Sequence, residues 1–486
     1  MARIVHNDNN WWMHQDCADD VQAFIGGGFK HLRFGSALLF SIENADSTWL
    51  SFLNAIAPPT PSIDTRHNQS RAATYALTAD GLRHCGLGTA EVDKFGIQFN
   101  QGMTDPNRVR QLGDAKDVQL DWSGSCDSQL TVHFLLMLYT KFPEDLSDWS
   151  NDVSEKMSNL GVNVKKTIAL TPLPETGPIR EHFGFVDGVS QPLPVDVEED
   201  LVLHSAIEHK MPPKDLNQTR DTHRVNSGDF IFGRLNSYKE FAPSPFIPES
   251  QAKGLKRGRA PNGFRDFGYN GTFLVVRQLE QNVHEFWQEY EKLGKQIGMD
   301  ATLLAERAVG RTMDGDLLLP KAATENNNRG FFEHDLLGDG CPLGSHVRRA
   351  NPRDGLAISR GSRQQHLKAS NNHRILRRGR NYGPQAEQDE AADNNSRGLF
   401  FMCVNTDIRR QFEFIQENWL NSKRFANLNE TDPLLGAPGM FTMQHPVLRK
   451  KVALGTCVTL KGGEYFFLPS LSSLRFLIHT LARSKK

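Results

Sequence analysis

Two stretches of this chain hold residue types that could do chemistry together. Residues 341–384 open with CPLGSHVRRANPRDG and close with NNHRILRRGRNYGP, so that His346 stands alone among cations and Arg374, Arg377, Arg378 and Arg380 cluster further on. The other, EHFGFVDGVSQP at 181–192, carries Asp187 in a turn flanked by Gly184 and Gly188. An isolated histidine can ligate a metal, an aspartate can carry a proton, and a guanidinium that stays charged can stabilise a developing anion. Each also has a bland reading. Asp–Gly is a common turn, most histidines are structural, and an arginine run is often a solvated face or a nucleic-acid patch.

The company these residues keep sharpens the reading. Phe183, Phe185 and Val186 are apolar, and Gly184 and Gly188 let the backbone approach a flat ligand closely. A carboxylate among apolar neighbours has its pKa moved toward use as a proton shuttle. A haem iron needs one protein histidine with the opposite face left open, whereas zinc asks for a cluster; His346 has no such cluster near it in sequence. The pair Ile375–Leu376 inside the arginine run suggests a strand with alternating faces, on which Arg377 points in and Arg378 out.

Elements must bring these stretches together. A strand followed by a helix is read four times: 36–42 then 43–57, 130–140 then 145–161, 271–279 then 282–294, and 398–404 then 407–420. Two such units make one split βαβ sheet, so four predict an α+β chain of two tandem ferredoxin-like domains. The expected boundaries are 1–195 for the N-terminal domain with the Asp187 motif, 196–226 for a charged, proline-bearing linker or insertion, and 227–486 for the C-terminal domain. A second polar insertion is expected at 381–398, and the triple glycine at 26–28 reads as a flexible lead-in loop.

Composition bounds the rest. With 486 residues, two domains are the natural prior, and 38% hydrophobic with 23% charged residues fits a folded globular chain rather than a disordered one. The formal net charge of −1 offers no global field for nucleic acid or anionic membrane, which leaves the 374–380 patch as the only argument for a nucleic-acid partner. The six cysteines form no CxxC pair and read as buried thiols. No apolar run long enough to span a membrane and no leader are seen, so a cytoplasmic protein with no membrane partner is expected.

The same residues resemble a known family. GFVDG at 184–188 resembles the GxxDG signature of the dye-decolorising peroxidases, HVRRANPR at 346–353 their proximal-histidine segment, and RILRRGRNYG at 374–383 their distal-arginine segment. DVQAFIGGGF, ALTADGLRHCGL, FNQGM, GDFIFGRLN, GTFLVVRQL, ERAVGR and GLFFMCVN follow in family order. The length and insertions are similar to the larger members. This resemblance implies a dimeric α+β barrel fold of two ferredoxin-like domains binding one haem b per chain, mainly in the C-terminal domain. It implies His346 as the proximal iron ligand and Asp187 with Arg377 as the distal catalytic pair. Gly184, Phe185, Val186 and Gly188 would lie against the haem, and Arg353 and Arg360 would reach its propionates. The implied partners are hydrogen peroxide and a reducing substrate, in a monomer or homodimer. Dyes, phenolics and other bulky donors would be oxidised through a ferryl intermediate, with electrons entering at surface Tyr382 or Trp419. The alternatives are a haem-handling protein of the same fold, or a nucleic-acid binder using 374–380.

Overall fold

The computed structural model describes residues 15–29, 31–62, 69–114, 122, 131–171, 178–195, 224–318, 332, 335–356, 363–386, 393–444 and 449–483. The N-terminal half runs β1 (Phe34–Ile42), α1 (Trp49–Ile56), β2 (Arg71–Leu77), β3 (Phe134–Thr140), α2 (Pro143–Ser158) and β4 (Val162–Leu170). The C-terminal half repeats the pattern with β5 (Thr272–Gln281), α3 (Val283–Ile297), α4 (His346–Ala350), the short β6 (Leu376–Arg377) and β7 (Arg380–Tyr382), then β8 (Gly398–Asn405) and β9 (Val458–Leu468). Between β8 and β9 the expected helix at 407–420 forms, but as two π-helical runs, Arg409–Glu413 and Ile415–Leu420.

Each half lays its strands in the same order, β4-β1-β3-β2 and β9-β5-β8-β7, with β6 beside β8 and antiparallel pairing throughout. This is the arrangement a βαββαβ unit produces. The open edges then pair. β7 meets β4 at Tyr382↔Leu170, and β9 meets β2 at Phe467↔Leu77, so the two sheets close into one ring. Closure removes four sheet edges that would otherwise present unpaired N–H and C=O groups.

Side-chain alternation sorts the ring into two faces. Ala37, Leu39, Leu135, Met137, Leu274, Val276, Phe400 and Met402 pack together on one face of the strands. Leu38, Phe40, Leu136 and Leu138 take the opposite face, where Trp49, Leu50 and Leu53 of α1 and Trp149, Val153 and Met157 of α2 cover them. Those helices are amphipathic at the 3.6 period, which is why they seal the N-terminal sheet tightly. On the same face of the C-terminal sheet the π-helical runs leave a cavity.

The glycine run departs from the expected loop. Ala23–Gly27 is a short helix closed by Gly28 in the left-handed region at φ 62. Its carbonyls at Phe24, Ile25 and Gly26 accept from Arg378. The stretch 196–223, most of the expected linker, lies outside the described residues, as do 387–392; its flanks Leu193–Val195 and Arg224–Asn226 pair in parallel. Cys85, Cys341, Cys403 and Cys457 are buried free thiols, Cys17 is a half-buried one, and Cys126 lies outside the described residues. Among the described residues no helix is long and apolar enough to cross a membrane.

Candidate active site

The cavity measures about 610 Å³ and takes its floor from the outer face of the C-terminal sheet. Residues spaced by two project there: Arg277, Leu279 and Gln281 from β5, Leu399 and Phe401 from β8, and Arg377 with Gly379 at the β6 edge. Ile415, Gln416 and Leu420 of the second π-helical run, Phe412 of the first, and His346, Val347 and Ala350 of α4 supply other walls. π-Helical turns are rare and tend to occur at functional sites, because the extra residue per turn displaces the helix surface locally.

His346 opens α4 directly after Ser345. Its Nδ1 lies 3.0 Å from Oδ2 of Asp432, a carboxylate with no solvent exposure. Burial raises the Asp432 pKa, yet the charge and hydrogen bond of His346 and the amides of Leu435 and Leu434 bring it below the ordinary aspartate value. Those amides donate to Oδ1 at 2.8 and 2.9 Å. With Nδ1 engaged, Nε2 is the nitrogen His346 has left for a metal.

Asp187 and Arg377 face the same cavity. The Asp187 amide donates to the Ile179 carbonyl at 3.0 Å, and Asp187 Oδ1 accepts from the Gly188 amide at 2.6 Å. Gly188 sits at φ 76, and nothing lies within 4 Å of where a Cβ would project, so backbone conformation rather than space asks for glycine there. The segment after Asp187 is tied to the arginines. Arg377 Nη2 donates to the Ser190 carbonyl at 3.2 Å, its amide donates to Gln191 Oε1 at 3.1 Å, and Arg353 Nη2 reaches Ser190 Oγ at 3.4 Å.

Four arginines crowd this part of the wall: Arg311, Arg353, Arg374 and Arg377. Burial first, then the neighbouring Arg353 and Arg377, push Arg311 down to about 9. Burial and then Arg377 take Arg374 to about 9, and burial and then Arg374 take Arg353 to about 10. Arg353 also holds a left-handed backbone at φ 53, an unfavourable conformation for a side chain of its size. Such a concentration of like charge in a concave wall is complementary to anionic groups of a ligand.

Several expectations need correction. Tyr382 and Trp419 are not surface residues; each is 5% exposed, because Tyr382 sits on the barrel seam and Trp419 packs with Phe414 and His373. Among the described residues the exposed tyrosine is Tyr238, at 51%. Nor does 374–380 form an open basic face: Arg374 and Arg380 are buried, and Arg380 donates to the carbonyls of Gly28, Phe29 and Leu32. Phe185, Val186 and Gly188 line the cavity, whereas Gly184 does not; at φ 100 it shapes the turn, and its carbonyl accepts from Arg180. Arg360 lies outside the described residues. Sequence reasoning missed Asp432, Glu181 and the Arg277–Asp114 pair, all of which touch the cavity or His346.

No protein-family model matches the chain. A multifunctional dye peroxidase, DyP2, of Amycolatopsis sp. is 30% identical over 328 residues, covering 61% of this chain and 61% of that protein. A dye-decolorizing peroxidase of Mycena epipterygia is 26% identical over 515 residues, covering 94% and 86%. The chain is thus similar in sequence to dye-decolorising peroxidases. The matched stretch spans 61% and 56% of the first two relatives' own lengths. Solved structures share the fold: a DyP-type peroxidase of Anabaena sp. aligns with TM-score 0.75 at 22% identity over 98% of both chains, and DyP2 from Amycolatopsis with TM-score 0.67 at 24% identity over 94% and 96%.

Dye-decolorising peroxidases are haem enzymes, and the cavity fits a haem on its own terms. Among the described residues no three His, Cys, Asp or Glu side chains gather to hold a bare ion. A single histidine with an engaged Nδ1, apolar walls from Val347, Ala350, Ile415, Leu420, Leu434 and Leu435, and a cationic wall suited to two propionates match the parts of that cofactor.

Proposed function

We propose that the chain is a haem-dependent peroxidase that uses hydrogen peroxide to oxidise dyes, phenolics and other bulky electron donors. The reading rests on one observation: a single cavity gathers Asp187, Arg377 and a histidine whose Nδ1 is pinned by a buried carboxylate. His346 would hold one haem b through Nε2, and Arg353 and Arg374 would receive its propionates. Bound there, the haem supplies the electron chemistry, accepting oxidising equivalents from peroxide and returning them to donors one at a time.

The protein's own groups move the proton and steady the charge. Asp187 takes the proton from the oxygen of peroxide that attacks and delivers it to the oxygen that leaves. Arg377, anchored by Ser190 and Gln191, stabilises the negative charge that develops as the O–O bond lengthens, and remains charged while doing so. We also propose residues 1–195 and 227–486 as the two domains, joined through 196–226; the repeated strand order supports this division.

The test is an absorbance spectrum of the purified, haem-loaded chain before and after peroxide, followed by dye bleaching. His346→Ala should lose the wild-type Soret band, and its retention would remove the ligand assignment. Asp187→Asn should slow the peroxide reaction by about 10²–10⁴-fold, the usual worth of a positioned proton carrier. A wild-type rate in that variant would remove the role of Asp187.

A further inference from the structure

The turn that carries Asp187 is wound around a second carboxylate. Glu181 Oε2 accepts the Phe183 amide at 3.0 Å, and Oε1 accepts the Phe185 amide at 2.8 Å. The Gln281 side chain, from the end of β5, donates to Oε2 as well. The Glu181 backbone closes the same loop: its amide donates to the Phe185 carbonyl at 2.9 Å, and its carbonyl accepts the Gly184 amide at 2.8 Å. No cation among the described residues lies within ion-pair reach of Glu181. Three N–H donors converge on it instead, a demand that an acceptor-only carboxylate meets and an amide cannot.

Outside the clamp, the turn is tied to other parts of the chain. Arg180 Nη1 donates to the carbonyls of Gly184 and Met313 at 2.9 and 2.7 Å. The Val186 amide donates to the Met313 carbonyl at 3.0 Å, and the Phe183 ring stacks on Phe286 of α3 with centroids 4.0 Å apart. His182 Nε2 lies 2.8 Å from the Tyr382 carbonyl at the barrel seam. Among the described residues, only the Glu181–Gln281 hydrogen bond fastens the turn to β5, the strand that floors the cavity. Keeping a carboxylate there without an ion pair is costly, since burial, opposed by these hydrogen bonds, still pushes it up to about 7. Local rules are broken in this way mainly where function requires it.

We propose that Glu181 is a positioning residue, which with Gln281 fixes the 181–188 turn on the cavity floor and so sets the reach of Asp187 toward peroxide. This rests on the reading of Asp187 as the proton carrier. The Glu181 carboxylate is engaged by Phe183, Phe185 and Gln281 rather than by His346 or Arg377, and its effect on the reaction passes through the placement of Asp187.

The experiment compares haem-loaded wild type, Glu181→Gln, Asp187→Asn and the double variant. It measures the second-order rate of reaction with peroxide, the Soret band, and amide hydrogen exchange at Phe183 and Phe185. Glu181→Gln should keep the Soret band, lose exchange protection at both amides and react about 10–100-fold more slowly, the scale of loss that a displacement of about 1 Å brings. In the Asp187→Asn background the same change should alter the rate less than about twofold, because residues acting as one unit are not additive. Gln281→Leu, which removes one of the three donors and leaves the carboxylate, should give a smaller loss in the same direction and serves if Glu181→Gln does not fold. A slow Asp187→Asn with a wild-type rate in Glu181→Gln, or a full further loss in the double variant, overturns the role of Glu181. A wild-type rate in Asp187→Asn overturns the reading of Asp187 and the positioning role with it.

Discussion

At the scale of residues, the candidate site depends on which polar groups have their partners chosen in advance. Asp432 takes Nδ1 of His346 and is itself held by two backbone amides, so the imidazole has one tautomer and one orientation available. Asp432→Asn should therefore weaken haem affinity by roughly 10–100-fold, read from hemin titration at the Soret band, with the band still present at saturation. Arg377→Met should keep haem and slow the peroxide reaction by about 10²–10³-fold in stopped flow, as removal of a preorganised charge stabiliser does. His346, Asp187 and Arg377 were legible because each lies in a short stretch of distinctive residues. Asp432 was not, since it lies 86 residues from His346 and no local pattern marks it. Glu181 stood inside the motif, but its importance comes from donors at 183, 185 and 281, and the last of these reaches it only through folding.

At the scale of elements, one short arginine run does two jobs because strand geometry sends its members to different places. Arg377 faces the cavity, Arg378 caps the 23–27 helix, and Arg380 crosses to three carbonyls at 28–32. Alternation across β6 and β7 was readable from the embedded Ile375–Leu376, whereas the carbonyl targets were not, because they lie some 350 positions earlier in the chain. Arg380→Met should leave those carbonyls unpaired and lower the unfolding free energy by about 2 kcal/mol or more, measured as a shift in urea midpoint, with haem uptake preserved. The π-helical runs were read only as a helix. Their register places Phe412, Ile415, Gln416 and Leu420 along the cavity, and an ordinary amphipathic pattern does not distinguish the two.

At the scale of the whole molecule, buried ionisable groups give stability a definite dependence on pH. Burial pushes Glu181 and Glu464 up to about 7 in the folded chain, against an ordinary 4.5. Their contribution is full below pH 4.5 and disappears as pH rises through 7. Burial takes His133 and His182 down to about 4 from 6.5, so their contribution is full above 6.5 and lost as pH falls through 4. The two effects oppose one another in mild acid, and between 6.5 and neutrality the change in the two glutamates outweighs that in the two histidines. The melting temperature should be higher near pH 6 than at pH 8, and Glu464→Gln should flatten that rise in a calorimetric series. The repeat of strand and helix was visible in the sequence because period-2 and period-3.6 hydrophobic patterns are local consequences of backbone geometry. Ring closure was not derivable from those patterns, since each seam rests on a single register pair, Tyr382↔Leu170 and Phe467↔Leu77, between strands far apart in the chain. The sequence by itself determined the α+β repeat, the lone histidine and the Asp187 turn. Tertiary structure alone decided that they share a cavity, that four arginines crowd its wall, that Tyr382 and Trp419 are buried, and which carboxylate steadies which group, because each of these depends on approach between segments that no local pattern encodes.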